Sequence, residues 1–248
     1  MQTRSNLSRL SLLICLLGGV LLEHSPASAQ GSATNRPHHL QWEKTIQAFE
    51  ASDKTNPPPA NAILMIGSSS IVKWTNAPAQ FPDHRLIMRG FGGSYLSDSV
   101  AFVDRIVIPY KPKLILLYAG DNDIAGGKSG VQVFADFKEF VGKVHRALPE
   151  TRIAFIAVKP SPSRVKYMEQ MKTANRLIQE FIAANPKLIF VDVFTPMLGA
   201  DGQPRAELFV GDRLHLNEAG YKLWAGIVNP VLEKVDPSPD KSAGGEKK

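Results

Sequence analysis

The sequence has almost no cysteine. Cys15 is the only cysteine among the 248 residues, and it lies in an N-terminal segment that we expect to be removed. A mature chain without cysteine excludes disulfide bonds, a thiol nucleophile and cysteine-bound zinc or iron–sulfur clusters. Any catalytic group must therefore come from other side chains.

A hydrophobic run long enough to cross a membrane is also missing. The apolar run at residues 10 to 22 is shorter than the ~20 residues that a membrane-spanning helix needs. Basic residues precede it and small residues follow it: Arg4 and Arg9, then Ala27-Ser28-Ala29. This pattern is typical of a cleavable signal peptide at residues 1 to 29. Ile14 before Cys15 argues against a lipoprotein signal, so we expect a periplasmic or secreted protein without stable membrane insertion.

Charge is neither extreme nor clustered. The chain carries 29 basic and 23 acidic residues, for a net charge of +6. The basic residues are scattered, without the stripe and interleaved aromatics of a nucleic-acid site, so no nucleic-acid partner is expected. Nothing in this composition determines the oligomeric state.

The length fits one globular domain. Small and polar residues at 30–38 predict a flexible lead-in, and the Pro-, Gly- and Lys-containing segment 236–248 predicts a disordered tail. One folded domain is then expected at residues 39–235.

Short runs of branched and aromatic residues alternate with helical patterns between these ends. The runs are too short for helices and predict five strands: Ala62–Ile66, Leu86–Met88, Leu114–Tyr118, Ile153–Val158 and Leu188–Val193. Strands that alternate with helices form a parallel sheet covered on both faces. We therefore predict an α/β fold, a three-layer flavodoxin-like sandwich with a five-stranded parallel sheet.

Polar residues follow the strands at the sheet edge where ligands bind in such folds. Four segments stand out, three after strands and one before the last helix: Gly67-Ser68-Ser69-Ser70, Arg89 to Ser94, Gly120-Asp121-Asn122-Asp123 and Asp212 to Asn217. Each alone is what any strand-to-helix turn uses. Their joint order is more informative.

In that order the sequence resembles the SGNH (GDSL-type) hydrolases, from about residue 63 to residue 224. The resemblance implies that Ser69 is the nucleophile and that His215 and Asp212 complete a catalytic triad. It further implies an oxyanion hole formed by Ser69, Gly93 and Asn122. Ser68 replaces the usual aspartate of the serine motif, but that aspartate is not the attacking group.

The same residues make chemical sense on their own. A serine hydroxyl needs a base to accept its proton, and histidine titrates near neutral pH. Asp212, three residues before His215, can fold back and hold the imidazole. Ser69 is favoured as the nucleophile; Ser68 is its main rival, and Ser70 is better placed to cap the next helix.

Competing interpretations are weaker. Asp121 and Asp123 do not form part of a complete calcium loop, because Ala125 and Gln132 stand where such a loop needs ligands. Tyr95 replaces the third glycine of a dinucleotide motif. We therefore expect no cofactor and no metal site.

The sequence indicates no definite chemical role for two further groups of residues. The histidines of the expected mature chain that lie outside the triad segment are expected at the surface: His38, His39, His84 and His145. The segment Lys159 to Arg164 either lines the substrate cleft or forms a rigid surface turn.

The expected function is hydrolysis of small-molecule or carbohydrate esters with small acyl groups, acetylated carbohydrate being one candidate substrate. Two alternatives stay open. The same triad could transfer the acyl group to a hydroxyl other than water, or the fold could be a non-catalytic carbohydrate-binding module.

Overall fold

A five-stranded parallel sheet forms the centre of the computed structural model, which describes residues 37 to 237. The strand order is β2-β1-β3-β4-β5. The strands are β1 (Ile63–Gly67), β2 (Leu86–Gly90), β3 (Leu114–Tyr118), β4 (Arg152–Ile156) and β5 (Leu188–Val191). The predicted α/β class and five-stranded parallel sheet are confirmed, and this strand order is that of flavodoxin-like folds.

Helices connect the strands. The α-helices are α1 (Glu43–Thr55), α2 (Ser69–Val72), α3 (Ala77–Gln80), α4 (Leu96–Ala101), α5 (Val103–Ile106), α6 (Asp121–Ala125), α7 (Gly130–Ala147), α8 (Met168–Ala183) and α9 (Glu218–Val235). Short 3-10 helices lie at His38–Trp42, Ile108–Tyr110, Pro162–Tyr167, Thr195–Met197 and Ala206–Leu208. Within residues 37 to 237, none of the helices has the length and apolar character needed to cross a membrane.

The two faces of the sheet pack against different helices. Leu117 and Phe155 are paired on neighbouring strands and so share a face. On that face the ring of Phe137 in α7 lies 5.0 Å from the ring of Phe155. Tyr118 follows Leu117 and points to the opposite face, where its ring lies 5.0 Å from that of Trp224 in α9. The arrangement gives three layers.

Residues 37–38 of the predicted lead-in and 236–237 of the predicted tail belong to the described structure, and side chains in both pairs contact the folded domain. The predicted signal peptide 1–29, residues 30–36 of the predicted lead-in and residues 238–248 of the predicted tail lie outside the described residues. His38, however, begins a 3-10 helix and its Nδ1 lies 2.7 Å from the Asp98 carboxylate. Asp236 likewise accepts from Lys113 at 2.6 Å and contacts His84 at 3.1 Å.

The prediction of His84 as a surface residue was wrong. Its side chain is buried in the described structure, and its Nδ1 contacts a carboxylate oxygen of Asp236. The two residues are 152 positions apart in the sequence. Local spacing could not reveal this partner, because only the folded chain brings it close.

A sharp turn at the end of β1 places the next residues at the carboxyl edge of the sheet. Gly67 has φ +139°, and a Cβ atom there would lie 1.8 Å from the carbonyl oxygen of Tyr118. Only glycine fits such a close backbone approach. The backbone N–H of Ser68 then donates to that carbonyl at 3.0 Å, and α2 begins immediately afterwards with Ser69.

Candidate active site

One of the three consecutive serines reaches the histidine. Ser69 is half-buried at the start of α2, and its Oγ lies 3.0 Å from Nε2 of His215. Ser68 and Ser70 are both buried. The position of Ser69 at the sheet edge follows from the Gly67 turn.

His215 and Asp212 lie on one tight turn ahead of α9. Nδ1 of His215 is 2.5 Å from Oδ2 of Asp212. Oδ1 of Asp212 accepts the backbone N–H groups of Leu214 and His215, each at 2.9 Å. These hydrogen bonds, first the one from the imidazole, lower the pKa of the Asp212 carboxyl well below its usual range. The structure thus brings the predicted Ser69, His215 and Asp212 into one continuous chain of hydrogen bonds.

Two of the predicted oxyanion donors are the backbone N–H groups of Ser69 and Gly93. Ser69 is the first residue of α2, where an N–H group has no acceptor inside the helix. Gly93 is exposed with φ +84°. A Cβ atom on neighbouring Gly92 would lie 3.7 Å from the Cβ of Ser69, so this turn borders the serine. Trp42 packs behind it, 3.5 Å from where a Cβ of Gly93 would stand.

Asn122 joins this group from the first turn of α6, which follows β3. Its Nδ2 donates to the carbonyl oxygen of Ser94 at 3.2 Å, which ties the start of α6 to the loop after β2. Its Oδ1 accepts from Nη2 of Arg164 at 2.8 Å. The amide keeps one further Nδ2 hydrogen for another acceptor.

The segment from Lys159 to Arg164 contributes residues that sequence reasoning left unassigned. Lys159 is buried, with Nζ 2.9 Å from the Asp121 carboxylate and 3.2 Å from the hydroxyl of Tyr118. Arg164 contacts both Asp121 and Asn122. The only sequence feature that could have indicated this role is the position of the segment after β4, at the carboxyl edge of the sheet.

The buried carboxylate of Asp123 forms an ion pair with Lys128. It accepts the backbone N–H of Leu96 at 3.0 Å and the ammonium of Lys128 at 3.0 Å. Burial raises the pKa of the Asp123 carboxyl to about 6, although Lys128 opposes this effect. The carboxylate thereby links α6 to the start of α4.

Comparison with known structures supports the fold. A GDSL-like lipase from Bacteroides thetaiotaomicron is 19% identical, with a TM-score of 0.66 over 76% of this chain and 97% of that chain. A carbohydrate esterase family 3 protein from Talaromyces cellulolyticus is 15% identical, with a TM-score of 0.58 over 69% of this chain and 96% of that chain.

A third similar structure is a variant of an acetyl-xylooligosaccharide esterase from Geobacillus stearmophilus. It is 16% identical, with a TM-score of 0.56 over 72% of this chain and 96% of that chain. A search of curated proteins gave no match.

The family itself is shown by the sequence match. The model of the GDSL-like lipase/acylhydrolase family matches residues 62–223, which include both the Ser69 turn and the Asp212–His215 turn. The match thus covers the sheet and the whole site at its edge. The chain belongs to the GDSL-like lipase/acylhydrolase family.

Proposed function

We propose that this protein is a serine esterase that hydrolyses carboxylic esters with small acyl groups through an acyl-enzyme on Ser69. The observation that carries the proposal is the hydrogen-bonded series from Ser69 through His215 to Asp212. A serine, a base and an orienting carboxylate at these distances are the groups that acyl transfer needs.

Each group has a defined step in this mechanism. With Nδ1–H donated to Asp212, the Nε2 atom of His215 is free to accept the Ser69 proton while Oγ attacks the ester carbonyl carbon. The resulting oxyanion receives hydrogen bonds from the N–H groups of Ser69 and Gly93 and from the Asn122 amide. His215 returns its proton to the leaving alcohol. A water molecule then attacks the carbonyl carbon of the acyl-enzyme while His215 accepts its proton. His215 returns this proton to the Ser69 oxygen, and the carboxylic acid is released.

The substrate class rests on the family and on the open site. Gly93 and Asp212 are exposed, so the described residues leave room for a bulky alcohol beside Ser69. Two fold neighbours are a carbohydrate esterase and an acetyl-xylooligosaccharide esterase. We accordingly propose acetylated carbohydrate as the natural substrate class.

The test uses two substrates. Purified protein should release nitrophenol from nitrophenyl acetate and acetate from acetylated xylooligosaccharides, and Ser69→Ala should do neither. Release from the activated ester alone would retain the esterase proposal and reject the carbohydrate substrate. Absence of hydrolysis with both would reject the esterase proposal.

Export is a separate part of the proposal. It is supported by the charged, apolar and small-residue segments that precede Gln30. Expression of the full chain should give periplasmic or secreted protein whose N-terminus lies near Gln30. Uncleaved protein retained in the cytoplasm would contradict it.

A further inference from the structure

We propose that Arg164 is a positioning residue that fixes the Asn122 amide with its NH2 group toward the oxyanion. The inference rests on the proposed function, because it assigns Asn122 a transition-state contact. It adds a residue outside the Ser, Gly, Asn, Asp and His set that the sequence indicated.

The two contacts of the Asn122 amide select one orientation. A guanidinium group only donates, so the 2.8 Å contact from Arg164 Nη2 requires the carbonyl end of the amide. The Ser94 carbonyl only accepts, so the 3.2 Å contact requires the NH2 end. If the amide were flipped, its NH2 group would face the Arg164 donor and its oxygen would face the carbonyl oxygen of Ser94. The present orientation leaves the second Nδ2 hydrogen for substrate.

Arg164 also forms an ion pair with a buried carboxylate. Its Nη1 lies 2.9 Å from Oδ2 of Asp121, the residue before Asn122, and its side chain is 15% exposed. Asp121 also pairs with Lys159 at 2.9 Å. Burial opposes ionisation of Asp121, but Lys159 and Arg164 outweigh it and lower the pKa of this carboxyl.

The combined charge of Asp121, Lys159 and Arg164 favours a negative oxygen near Asn122. Two cations against one carboxylate leave a net positive charge beside the amide. A charged donor on the amide oxygen polarises the group and makes its N–H a stronger donor. Arg164 therefore acts through Asn122 on the transition state and need not touch the substrate.

The prediction is a loss in kcat with little change in KM. Replacing Arg164 with alanine should lower kcat for nitrophenyl acetate about 10- to 100-fold, less than or equal to the loss from removing one oxyanion donor. Arg164→Lys keeps a cation against Asp121 but has one nitrogen instead of a fork, so it should fold normally and still lose about 10-fold in kcat. Arg176→Ala, at an exposed arginine of α8 paired with Glu180, is the matched control and should match the wild type.

A double variant separates positioning from a structural role. In an Asn122→Ala background, Arg164→Ala should lower kcat by less than about threefold, because its target is already gone. The proposal would be overturned if the loss of kcat in the double variant equalled the product of the losses in the two single variants. It would also be overturned if Arg164→Lys and Arg164→Ala had the kcat of the wild type.

The same comparison can be made without a turnover substrate. Fluorophosphonate labelling also places a negative oxygen at the donors, so the labelling rate of Ser69 should fall in the Arg164 variants as kcat does. If the wild type is labelled but hydrolyses no ester, the esterase proposal fails while the labelling rates still decide the role of Arg164. A wild-type Ser69 that is not labelled overturns both.

Discussion

The acid and base chemistry of the site is set at the scale of single residues. Asp212 accepts three hydrogen bonds within its own turn, from the imidazole and from two backbone N–H groups. Its lowered pKa keeps it a carboxylate at all pH values near neutrality. A loss of activity between pH 8 and 5 cannot then come from protonation of Asp212.

We expect kcat/KM for a short ester to fall as the pH drops from 8 to 5. Only a neutral imidazole can accept the Ser69 proton, so protonation of the base in acid should stop the reaction. The measurement is a pH–rate profile with a neutral substrate, alongside a check that the fold persists at pH 5. A flat profile would remove His215 as the base.

At the scale of elements, the turn from β1 into α2 depends on the missing side chain of Gly67. Gly67→Ala should lower the free energy of unfolding by ~3 kcal/mol or more, because its Cβ would overlap the Tyr118 carbonyl and φ is +139°. The matched control is Gly142→Ala in α7, where a Cβ meets nothing within 4 Å. That substitution should stabilise by roughly 0.5–1 kcal/mol. Denaturant unfolding of the two variants measures both effects, and equal stability of the two would contradict this account of the turn.

Asp123 couples α4 and α6 in a pH-dependent way. Its pKa of about 6 in the folded protein exceeds the value of about 4 expected in the unfolded chain. The folded state binds this proton more tightly, so the stability that Asp123 contributes is fully present below pH 4 and is lost as the pH rises through 6.

Asp123→Asn removes this titration. Relative to the wild type, the free energy of unfolding of the variant should therefore rise by roughly 2–3 kcal/mol between pH 4 and pH 7. Urea unfolding of both proteins at the two pH values gives the difference directly. A gap that does not change with pH would show that burial does not raise this pKa.

At the scale of the whole molecule, local patterns determined what the sequence could predict. Short β-branched runs between helical patterns predicted the sheet. The three-residue spacing of Asp212 and His215 predicted a turn that places them in contact. Such signals lie within a few residues of one another and need no knowledge of the fold.

Contacts between distant segments could not be predicted in this way. Arg164 meets Asn122 across 42 positions, and His84 meets Asp236 across 152. Composition and spacing say nothing about such pairs, because packing of whole elements creates them. The burial that raises the pKa of Asp123 also results from the packing of whole elements, so local spacing could not predict it.

The shape of the site leads to a preference for short acyl chains. α2 starts two residues after β1 and α6 starts three residues after β3, which leaves little chain for a deep apolar tunnel or a lid. Nitrophenyl acetate and butyrate should therefore have a higher kcat/KM than the dodecanoate under matched soluble conditions. A faster dodecanoate reaction would contradict this view of the site.

The assignment of Ser69 as the nucleophile is the central claim, and covalent labelling tests it most directly. A fluorophosphonate should modify Ser69 alone in the wild type, as shown by peptide mass mapping, and should not label Ser69→Ala. Ser68→Ala and Ser70→Ala should still be labelled and retain much of the esterase rate, while Ser69→Ala should lose ~10⁴-fold or more in kcat. An adduct on Ser68 or Ser70, or unimpaired labelling of Ser69→Ala, would contradict the account.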